Sequence, residues 1–143
     1  MIKFIVDDPI YMPMKATPKS TGYDLKSTTN ELIKPGTSLV INTGVKIDFS
    51  KADIDIDVQI RSRSGLAARK NLSVLNAPAT IDRDYEDYLK VILFNHGQYN
   101  VTIQRGDRIA QLVLALLWID FSRLEEEASL MTKRTGGLGS TGE

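Results

Sequence analysis

Alternation of apolar and polar residues between residues 53 and 61 constrains the fold more than any other feature of the sequence. Ile54, Ile56, Val58 and Ile60 take every second position, and polar residues fill the others. This period of two predicts a β-strand with one buried and one solvated face. The aspartates of the segment allow a second interpretation, a carboxylate cluster for a metal ion. At strand spacing they are instead predicted to form the solvated face, which also opposes edge aggregation.

Short strand-like segments separated by turn signals occupy most of the remaining chain. The strand candidates are Ile2–Val6, Ser38–Phe49, Leu72–Leu75, Tyr88–Asn95, Asn100–Ile103 and Arg108–Leu117. The turn signals are Lys34-Pro35-Gly36, Asn95-His96-Gly97 and Arg105-Gly106-Asp107. One segment, Ser64–Lys70, is predicted to form a short helix. Many short strands and one helix predict an all-β single domain, a sandwich or a barrel.

Composition excludes several classes of protein. At 143 residues, 42% of them hydrophobic, the chain is long enough for one domain with a substantial core. The 18 Lys and Arg residues balance 18 Asp and Glu residues, which argues against a nucleic-acid binder. The absence of cysteine excludes disulfides, thiolate catalysis and cysteine-ligated metals. The single histidine, His96, excludes a multi-histidine metal centre and is predicted to serve turn geometry.

The sequence offers no evident targeting or membrane segment. The opening segment, Met1–Val6, meets Asp7 and Pro9 too early for a signal peptide. The longest apolar run, near residues 109–119, is interrupted by Gln111 and is too short to cross a bilayer. We therefore expect a soluble, cytoplasmic protein that does not bind membranes.

The last eight residues, 136–143, contain four glycines and cannot build a packed core. Their closely spaced backbone N–H groups and two hydroxyls suit a segment that wraps a phosphate. Lys133 and Arg134 add positive charge just before it. A frayed terminus is the alternative. We expect a β domain over residues 1–132 and a mobile arm over residues 133–143.

Two polar islands in the first half of the chain combine charge with glycine. Ser20–Leu25 places a glycine and Asp24 where a strand would otherwise begin, although Asp24 alone could be an ordinary turn residue. Arg61–Ala67 leads into the predicted helix, so free N–H groups and Arg63 predict an anion site. A simple N-cap by Ser64 is the alternative, but it leaves two arginines unexplained.

Two further islands follow in the second half. Leu75–Tyr85 is interpreted as part of a hairpin in which Asp82 and Asp84 share a face. One of them could then activate a water while the other forms a salt bridge, and an aspartate-rich turn is the alternative. In Gln104–Leu112, Gln111 interrupts an apolar strand. A buried amide needs a partner, which a ligand oxygen or a water could supply.

Taken in order, the islands and the tail resemble the trimeric deoxyuridine triphosphate nucleotidohydrolases, the dUTPases, from about Ala16 to Gly142. The matching segments are Ser20–Leu25 (Ser-x-Gly-Tyr-Asp-Leu), Arg63–Ala67 (Arg-Ser-Gly-Leu-Ala), Ile81–Tyr85 (Ile-Asp-x-Asp-Tyr), Gly106–Gln111 (Gly-x-Arg-Ile-Ala-Gln) and, except for one aromatic, Gly136–Gly142 (Gly-Gly-Phe-Gly-Ser-Thr-Gly). Any one island is weak evidence. Their order and spacing make the resemblance specific.

The resemblance implies a distorted jelly-roll or β-clip fold and a homotrimer whose active sites lie at subunit interfaces. It implies hydrolysis of dUTP to dUMP and pyrophosphate by in-line attack of water on the α-phosphorus, with Mg²⁺ on the triphosphate. That activity would limit uracil in DNA and supply dUMP for dTMP synthesis. Positioning and charge neutralisation carry such a reaction, and Mg²⁺ held by substrate oxygens needs no dense protein cage.

The resemblance also implies roles for single residues. Asp82 would activate the attacking water, Tyr85 would stack under the deoxyribose, and Asp24 would lie near the water shell of the metal. The hairpin from Asn76 to Lys90 would bind uracil, largely through its backbone. The implied substrate contacts are Arg63, Ser64, Gly65, Asn76, Thr80, Ile81, Tyr85, Lys90, Gln111, Lys133, Arg134, Leu138, Gly139, Ser140 and Thr141.

Several positions depart from the family pattern. Leu138 replaces a phenylalanine that usually covers uracil, a loss on the order of 1 kcal/mol of stacking. Ala79 replaces a frequent glycine and would be strained by about 1 kcal/mol if the position needed a positive φ. Glu86–Tyr88 replaces the usual turn, where Asp87 tolerates a left-handed position. Lys133 falls at the place of an arginine and Arg134 lies one residue later, so either could be the cation of the arm, and a lysine would supply a point charge instead of a fork.

Two alternatives to a dUTP diphosphatase stay open at this point. One is a catalytically weak dUTPase-like binding or signalling protein, which the changes at Leu138 and Glu86–Tyr88 motivate and the intact Asp82 and Tyr85 oppose. The other is dCTP deaminase, a sister activity on the same fold, which the tail and the Asp-x-Asp-Tyr pattern fit poorly.

Overall fold

The computed structural model describes residues 2–52 and 56–116, which form eleven strands and one α-helix. The strands are β1 (Lys3–Val6), β2 (Tyr23–Lys26), β3 (Glu31–Ile33), β4 (Ser38–Asn42), β5 (Val45–Asp48), β6 (Ile56–Arg61), β7 (Leu72–Val74), β8 (Ala79–Ile81), β9 (Lys90–Asn95), β10 (Val101–Ile103) and β11 (Arg108–Leu116). The helix is α1 (Ser64–Lys70), and a 3₁₀ turn covers Pro9–Tyr11. The predicted all-β class with one short helix is confirmed. No helix in these two ranges is long and apolar enough to cross a membrane.

Antiparallel pairing builds two main sheets and two strand pairs. The larger sheet has the order β2-β11-β6-β8, so β11 lies between β2 and β6. The second sheet is β4-β9-β7, and β1-β5 and β3-β10 form the pairs. Leu112 of β11 and Leu93 of β9 are fully buried in the core between these strands. The arrangement is the jelly-roll-like fold that the motif order implies.

The alternating segment forms the strand that its period predicts. Val58 and Ile60 of β6 are fully buried. On the opposite face Gln59 Nε2 donates to Asp57 Oδ2 at 2.5 Å, and Arg61 Nε and Nη2 donate to Gln59 Oε1 at 3.0 and 2.8 Å. This polar face confirms, for the described part of the segment, the prediction that the alternate polar residues form the solvated face of the strand. Residues 53–55 lie outside the described ranges, within which no group of three or more His, Cys, Asp or Glu could hold a metal.

The helix has its predicted bounds, and the alternative interpretation of its first residues, an N-cap by Ser64, does not hold. Arg63 occupies the N-cap position with an extended backbone, φ −94°, and makes no side-chain capping bond. Ser64 is the first residue of α1. The interpretation of Ser64 as an N-cap is therefore wrong. Asn71 ends the helix in a left-handed conformation, φ 51°, and its amide donates to the Ala67 carbonyl.

The predicted strand Ser38–Phe49 is two strands, because Gly44 has a φ of 68° and breaks the ladder. A Cβ at Gly44 would lie 3.0 Å from side-chain atoms of Thr28 and Tyr11, so the position also lacks room. The strands β2, β3 and β8 were not predicted. Each has only three or four residues, too few for alternation to be recognised.

The predicted hairpin from Asn76 to Lys90 is wrong. β8 pairs with β6, whereas β9 pairs with β4 and β7, so the two strands of this segment enter different sheets. Ala79 and Asp87 do not have a positive φ, since Asn71 is the non-glycine residue with one in the described chain. Neither strain at Ala79 nor a left-handed Asp87 is present.

Candidate functional site

β11 brings three of the polar islands together. Gln111 pairs with Asp24 of β2 on one side and with Arg61 of β6 on the other. The first island contains most of β2, the second begins at the last residue of β6, and the fourth contains the start of β11. Because neighbouring strands lie about 4.8 Å apart, side chains from all three islands meet within a small area.

Asp24 is the electrostatic centre of this area. Its Oδ1 accepts the Nε–H of Arg63 at 2.8 Å, and its Oδ2 accepts an Nη1–H of Arg108 at 3.1 Å. The Asp24 side chain is only 13% exposed, so both ion pairs are partly shielded from water. Arg63 Nη1 also donates to the Arg108 carbonyl at 2.8 Å. These contacts fix the direction in which the Arg63 guanidinium points.

Gln111 has a protein partner, and its position explains a glycine. Its Nε2 donates to the Ser62 carbonyl at 2.8 Å, so the prediction that a ligand or water satisfies this amide is wrong for the amide nitrogen. A Cβ at Gly22 would lie 2.3 Å from Gln111 Oε1 and 3.0 Å from its Cβ. Only glycine leaves room for Gln111 at this point in the first island.

A cavity of about 280 Å³ opens beside these residues. Its lining includes Asp24, Arg63, Ser64, Gly65 and Gln111, together with the segment that precedes β2. The lining therefore offers a guanidinium, hydroxyls and backbone N–H groups, which are the donors that phosphate oxygens accept. The structure brings together the anion-site residues that the second and fourth islands predicted.

The third island lies elsewhere on the same chain. Ile81 pairs with Val58 in the β6–β8 ladder, and Arg63 is five residues further along from Val58. At roughly 3.3 Å per residue this separates Ile81 from Arg63 by about 16 Å. Asp82 and Tyr85 form a turn in which the Tyr85 amide donates to the Asp82 carbonyl at 3.1 Å. The prediction that Asp82 and Asp84 share a hairpin face is wrong, because Asp84 lies inside this turn.

Tyr85 lines a second cavity of about 450 Å³ with Asp84, Arg83 and residues of β5 and its following turn. Its Oη donates to the Tyr88 carbonyl at 2.9 Å. Burial raises the pKa of the Tyr85 phenol above its ordinary value, so the group is a neutral hydrogen-bond donor near pH 7. The ring is partly buried and packs against the core.

The other predicted contacts of the third island are spread along its segment. Asn76 lies in an exposed turn, and Thr80 and Ile81 pair with Gln59 and Val58 of β6. Lys90 begins β9, and its Nζ donates to Asp87 Oδ2 at 2.8 Å. The predicted arm contacts Lys133, Arg134, Leu138, Gly139, Ser140 and Thr141 lie outside the described residues.

Sequence reasoning missed Arg108 and Tyr88. Arg108 shares the Asp24 carboxylate with Arg63, and Tyr88 supplies the carbonyl that holds Tyr85. An arginine at the first position of a strand that follows a glycine turn could have indicated Arg108. Nothing in the sequence pattern around Tyr88 indicates the contacts of its side chain, which are with Asp7 and with Lys46 of β5.

The donor set limits how a metal could be bound. Both carboxylate oxygens of Asp24 already accept from arginines, so direct ligation of Mg²⁺ by Asp24 does not fit the described contacts. Mg²⁺ usually keeps several waters and takes its remaining ligands from substrate phosphates. The described residues therefore fit a metal carried by a polyphosphate and contacted through water.

Comparison with known proteins places these features in one family. The family model described as dUTPase matches residues 8–142. The deoxyuridine 5′-triphosphate nucleotidohydrolase of Anaplasma marginale is 42% identical over 137 residues, which cover 92% of this chain and 88% of the relative.

Solved structures agree. The dUTPase from Streptococcus mutans superimposes with a TM-score of 0.72 at 26% identity, covering 83% of this chain and 98% of the other. A mutant dUTPase from phage phi11 of S. aureus, described with a structural Mg(II) ion, shares the fold with a TM-score of 0.72 at 21% identity, covering 89% and 98%. The chain belongs to the dUTPase family.

Proposed function

We propose that this chain hydrolyses dUTP to dUMP and pyrophosphate, with Mg²⁺ bound to the triphosphate. The observation that carries the proposal is the cavity beside Asp24, in which Arg63, Ser64, Gly65 and Gln111 come together from motifs that match the dUTPases in order and spacing. A cation and several neutral donors in one depression suit a polyphosphate. The names of the relatives support uracil deoxynucleotide as the rest of the substrate.

The proposed active site is shared between subunits of a homotrimer. Ile81 stands about 16 Å along the β6–β8 ladder from Arg63, and Asp82 lies one residue further away, which is too far for one phosphate group to touch both Arg63 and Asp82. In the proposed assembly the third island of one subunit faces the cavity of its neighbour. Residues 133–143 would close over that site, and they lie outside the described residues.

Positioning and charge neutralisation carry the proposed reaction. The guanidinium of Arg63 has five N–H donors, so its bonds to Asp24 and to the Arg108 carbonyl leave others for phosphate oxygens. Ser64 and Gly65 would add a hydroxyl and a backbone N–H. Mg²⁺ would neutralise further charge on the triphosphate when it is bound.

Asp82 would orient the attacking water and accept its proton as the oxygen approaches the α-phosphorus in line with the leaving pyrophosphate. Tyr85 would pack under the deoxyribose and leave no room for a 2′-hydroxyl. Uracil would bind along the segment from Asn76 to Lys90, including Thr80 and Ile81, as an open loop and strand instead of a hairpin. Such an activity limits uracil in DNA and supplies dUMP for dTMP synthesis.

The experiment is release of pyrophosphate from dUTP, dCTP, dTTP and UTP in the presence of Mg²⁺. We expect the rate of dUTP hydrolysis to exceed the rates for dCTP, dTTP and UTP by at least roughly a hundredfold. A wrong base leaves polar groups of the site without partners, and a 2′-hydroxyl is excluded sterically. Asp82→Asn is expected to lose at least roughly a hundredfold in kcat with little change in KM. A chain that ends at Thr132 is expected to lose most of its activity. Glu31→Gln, on a strand of another sheet, serves as the matched carboxylate control.

Each alternative has its own signature in this assay. Failure of the intact chain to turn over dUTP would rule out the proposal, and binding of dUTP without turnover would favour a binding or signalling protein. Ammonia release from dCTP would favour the deaminase.

A further inference from the structure

Tyr88 is held by contacts from three directions. Its Oη donates to Asp7 Oδ1 at 2.5 Å, and Lys46 Nζ lies 4.4 Å from the centroid of its ring. Its backbone amide donates to Asp87 Oδ1 at 2.7 Å. Asp7 directly follows β1, and Lys46 of β5 pairs with Ile5 of β1. Tyr88 is therefore fastened to the β1–β5 pair at the point where that pair ends.

The main chain next to Tyr88 is fixed as well. The amide of Leu89 donates to the Val45 carbonyl at 2.8 Å, and the Leu89 carbonyl accepts from the amide and hydroxyl of Thr43. Leu89 is fully buried. The Tyr88 carbonyl therefore lies between a side chain anchored to β1 and a residue anchored to β5.

That carbonyl accepts the hydrogen bond from Tyr85 Oη at 2.9 Å. A tyrosine side chain has two rotatable bonds that orient its ring. A hydrogen bond at the hydroxyl end and packing along the sides of the ring together fix both bonds. The position of the Tyr85 ring thus depends on a carbonyl whose own position depends on Asp7 and Lys46. The described contacts link the first strand of the chain to the Tyr85 ring.

The geometry points to Tyr88 as a positioning residue that fixes the Tyr85 ring and thereby sets discrimination between deoxyribonucleoside and ribonucleoside triphosphates. This inference rests on the proposed function, in which Tyr85 packs under the sugar. A 2′-hydroxyl adds a single oxygen, so its exclusion requires the ring to be held closely in place. Neither Tyr88 nor Asp7 needs to contact the substrate.

Tyr88→Phe tests the inference because it keeps the ring beside Lys46 and removes the bond to Asp7. We expect the ratio of kcat/KM for dUTP to that for UTP to fall roughly three- to tenfold, as for the loss of one hydrogen bond. The ratio falls because kcat/KM for UTP is expected to rise relative to kcat/KM for dUTP when the ring is held less closely. Asp7→Asn is expected to lower the same ratio, and Tyr99→Phe, at a residue that is 82% exposed, serves as the control.

A double-variant cycle separates positioning from general support of the fold. Because Asp7 and Tyr88 act through one bond, the Asp7→Asn/Tyr88→Phe chain is expected to lose no more selectivity than either single variant. Tyr85→Phe removes the Oη at the other end and is expected to give the same loss of selectivity. Equal losses for dUTP and UTP at an unchanged ratio would overturn the inference while leaving the proposed function intact. An intact chain that does not hydrolyse dUTP would overturn both.

Discussion

Asp24 accepts the Nε–H of Arg63 across 2.8 Å, and this contact joins β2 to the segment between β6 and α1. The same carboxylate accepts from Arg108 at the start of β11. The first, second and fourth islands are therefore connected through one side chain. The contact gives Asp24 a role that does not require a metal, namely to direct a guanidinium toward the cavity.

Asp24→Asn tests whether Asp24 directs the Arg63 guanidinium or instead contacts the water shell of Mg²⁺. The neutral amide accepts weaker bonds from Arg63 and Arg108, so we expect kcat/KM for dUTP to fall roughly tenfold. The Mg²⁺ concentration for half-maximal activity is expected to shift by less than about twofold. The measurement is a titration of Mg²⁺ at several dUTP concentrations, with Glu31→Gln as control. A large rise in the Mg²⁺ requirement, with normal activity at saturating Mg²⁺, would assign Asp24 to the metal instead.

Gly22→Ala is expected to act through Gln111. The new Cβ would lie 2.3 Å from Gln111 Oε1, so the amide must move and lose its bond to the Ser62 carbonyl. We expect kcat/KM for dUTP to fall to the level of Gln111→Ala, with a stability loss of about 1 kcal/mol. In steady-state assays the double variant Gly22→Ala/Gln111→Ala should be no worse than Gln111→Ala alone. Additive losses would show that Gly22 acts separately from Gln111.

Gly44→Ala is expected to affect stability alone. At a φ of 68°, with Thr28 and Tyr11 atoms 3.0 Å from the new Cβ, alanine adds backbone strain and overpacking. We expect a loss of about 1–3 kcal/mol in the free energy of unfolding. Denaturant unfolding must be compared at one protein concentration, since oligomers gain stability with concentration. Gly97→Ala, at a glycine without a positive φ, is the control, and an equal effect at both positions would contradict the argument.

Sequence patterns predicted elements better than they predicted partners. The helix Ser64–Lys70 was predicted with its observed bounds, because the residues after Arg63 favour helix and carry no competing period. The alternating pattern of β6 could also be recognised, because it too depends only on residues that are close in the sequence. The partner of β8 was not predictable, since the choice between β6 and β9 depends on packing between distant parts of the chain. The break at Gly44 was missed because a single glycine interrupts an otherwise continuous apolar pattern.

For the candidate site, too, sequence patterns predicted the residues better than their partners. Arg63, Ser64, Gly65 and Gln111 were predicted from their motifs and meet in one cavity. The partner of Gln111 was predicted wrongly, because a strand pattern does not reveal which carbonyl lies opposite a side chain. The contacts of Tyr88 with Asp7 and Lys46 span more than forty residues each and leave no local signal.

The Asp87–Lys90 ion pair predicts a small pH dependence of stability. The hydrogen bond from Lys90 lowers the pKa of Asp87, and the hydrogen bond to Asp87 raises the pKa of Lys90. The stabilisation from Asp87 is present above its ordinary pKa and is lost as the pH falls through the lowered value, below about pH 4. The stabilisation from Lys90 is present below its ordinary pKa and is lost as the pH rises through the raised value, above about pH 10.

Lys90→Met removes both contributions. Because the side chains of the pair are partly exposed to water, we expect a stability loss of well under 1 kcal/mol near pH 7. The difference in Tm between the wild type and the variant should shrink in acid below about pH 4 and again in base above about pH 10. Thermal unfolding across the pH range measures it. A difference that is constant with pH would show that Lys90 contributes through packing of its aliphatic stem and not through charge.

The most direct test of the shared site is subunit complementation between two inactive variants. Asp82→Asn lacks the proposed base, and Arg63→Ala lacks the proposed phosphate-binding cation on the other island. In the proposed homotrimer, refolding an equal mixture would give about one quarter of the sites an intact Asp82 from one subunit and an intact Arg63 from its neighbour. We therefore predict that dUTP hydrolysis returns to about one quarter of the wild-type rate. A mixture of Asp82→Asn with Tyr85→Ala, two changes in the same island, should stay inactive, and failure of the first mixture to regain activity would contradict the shared site.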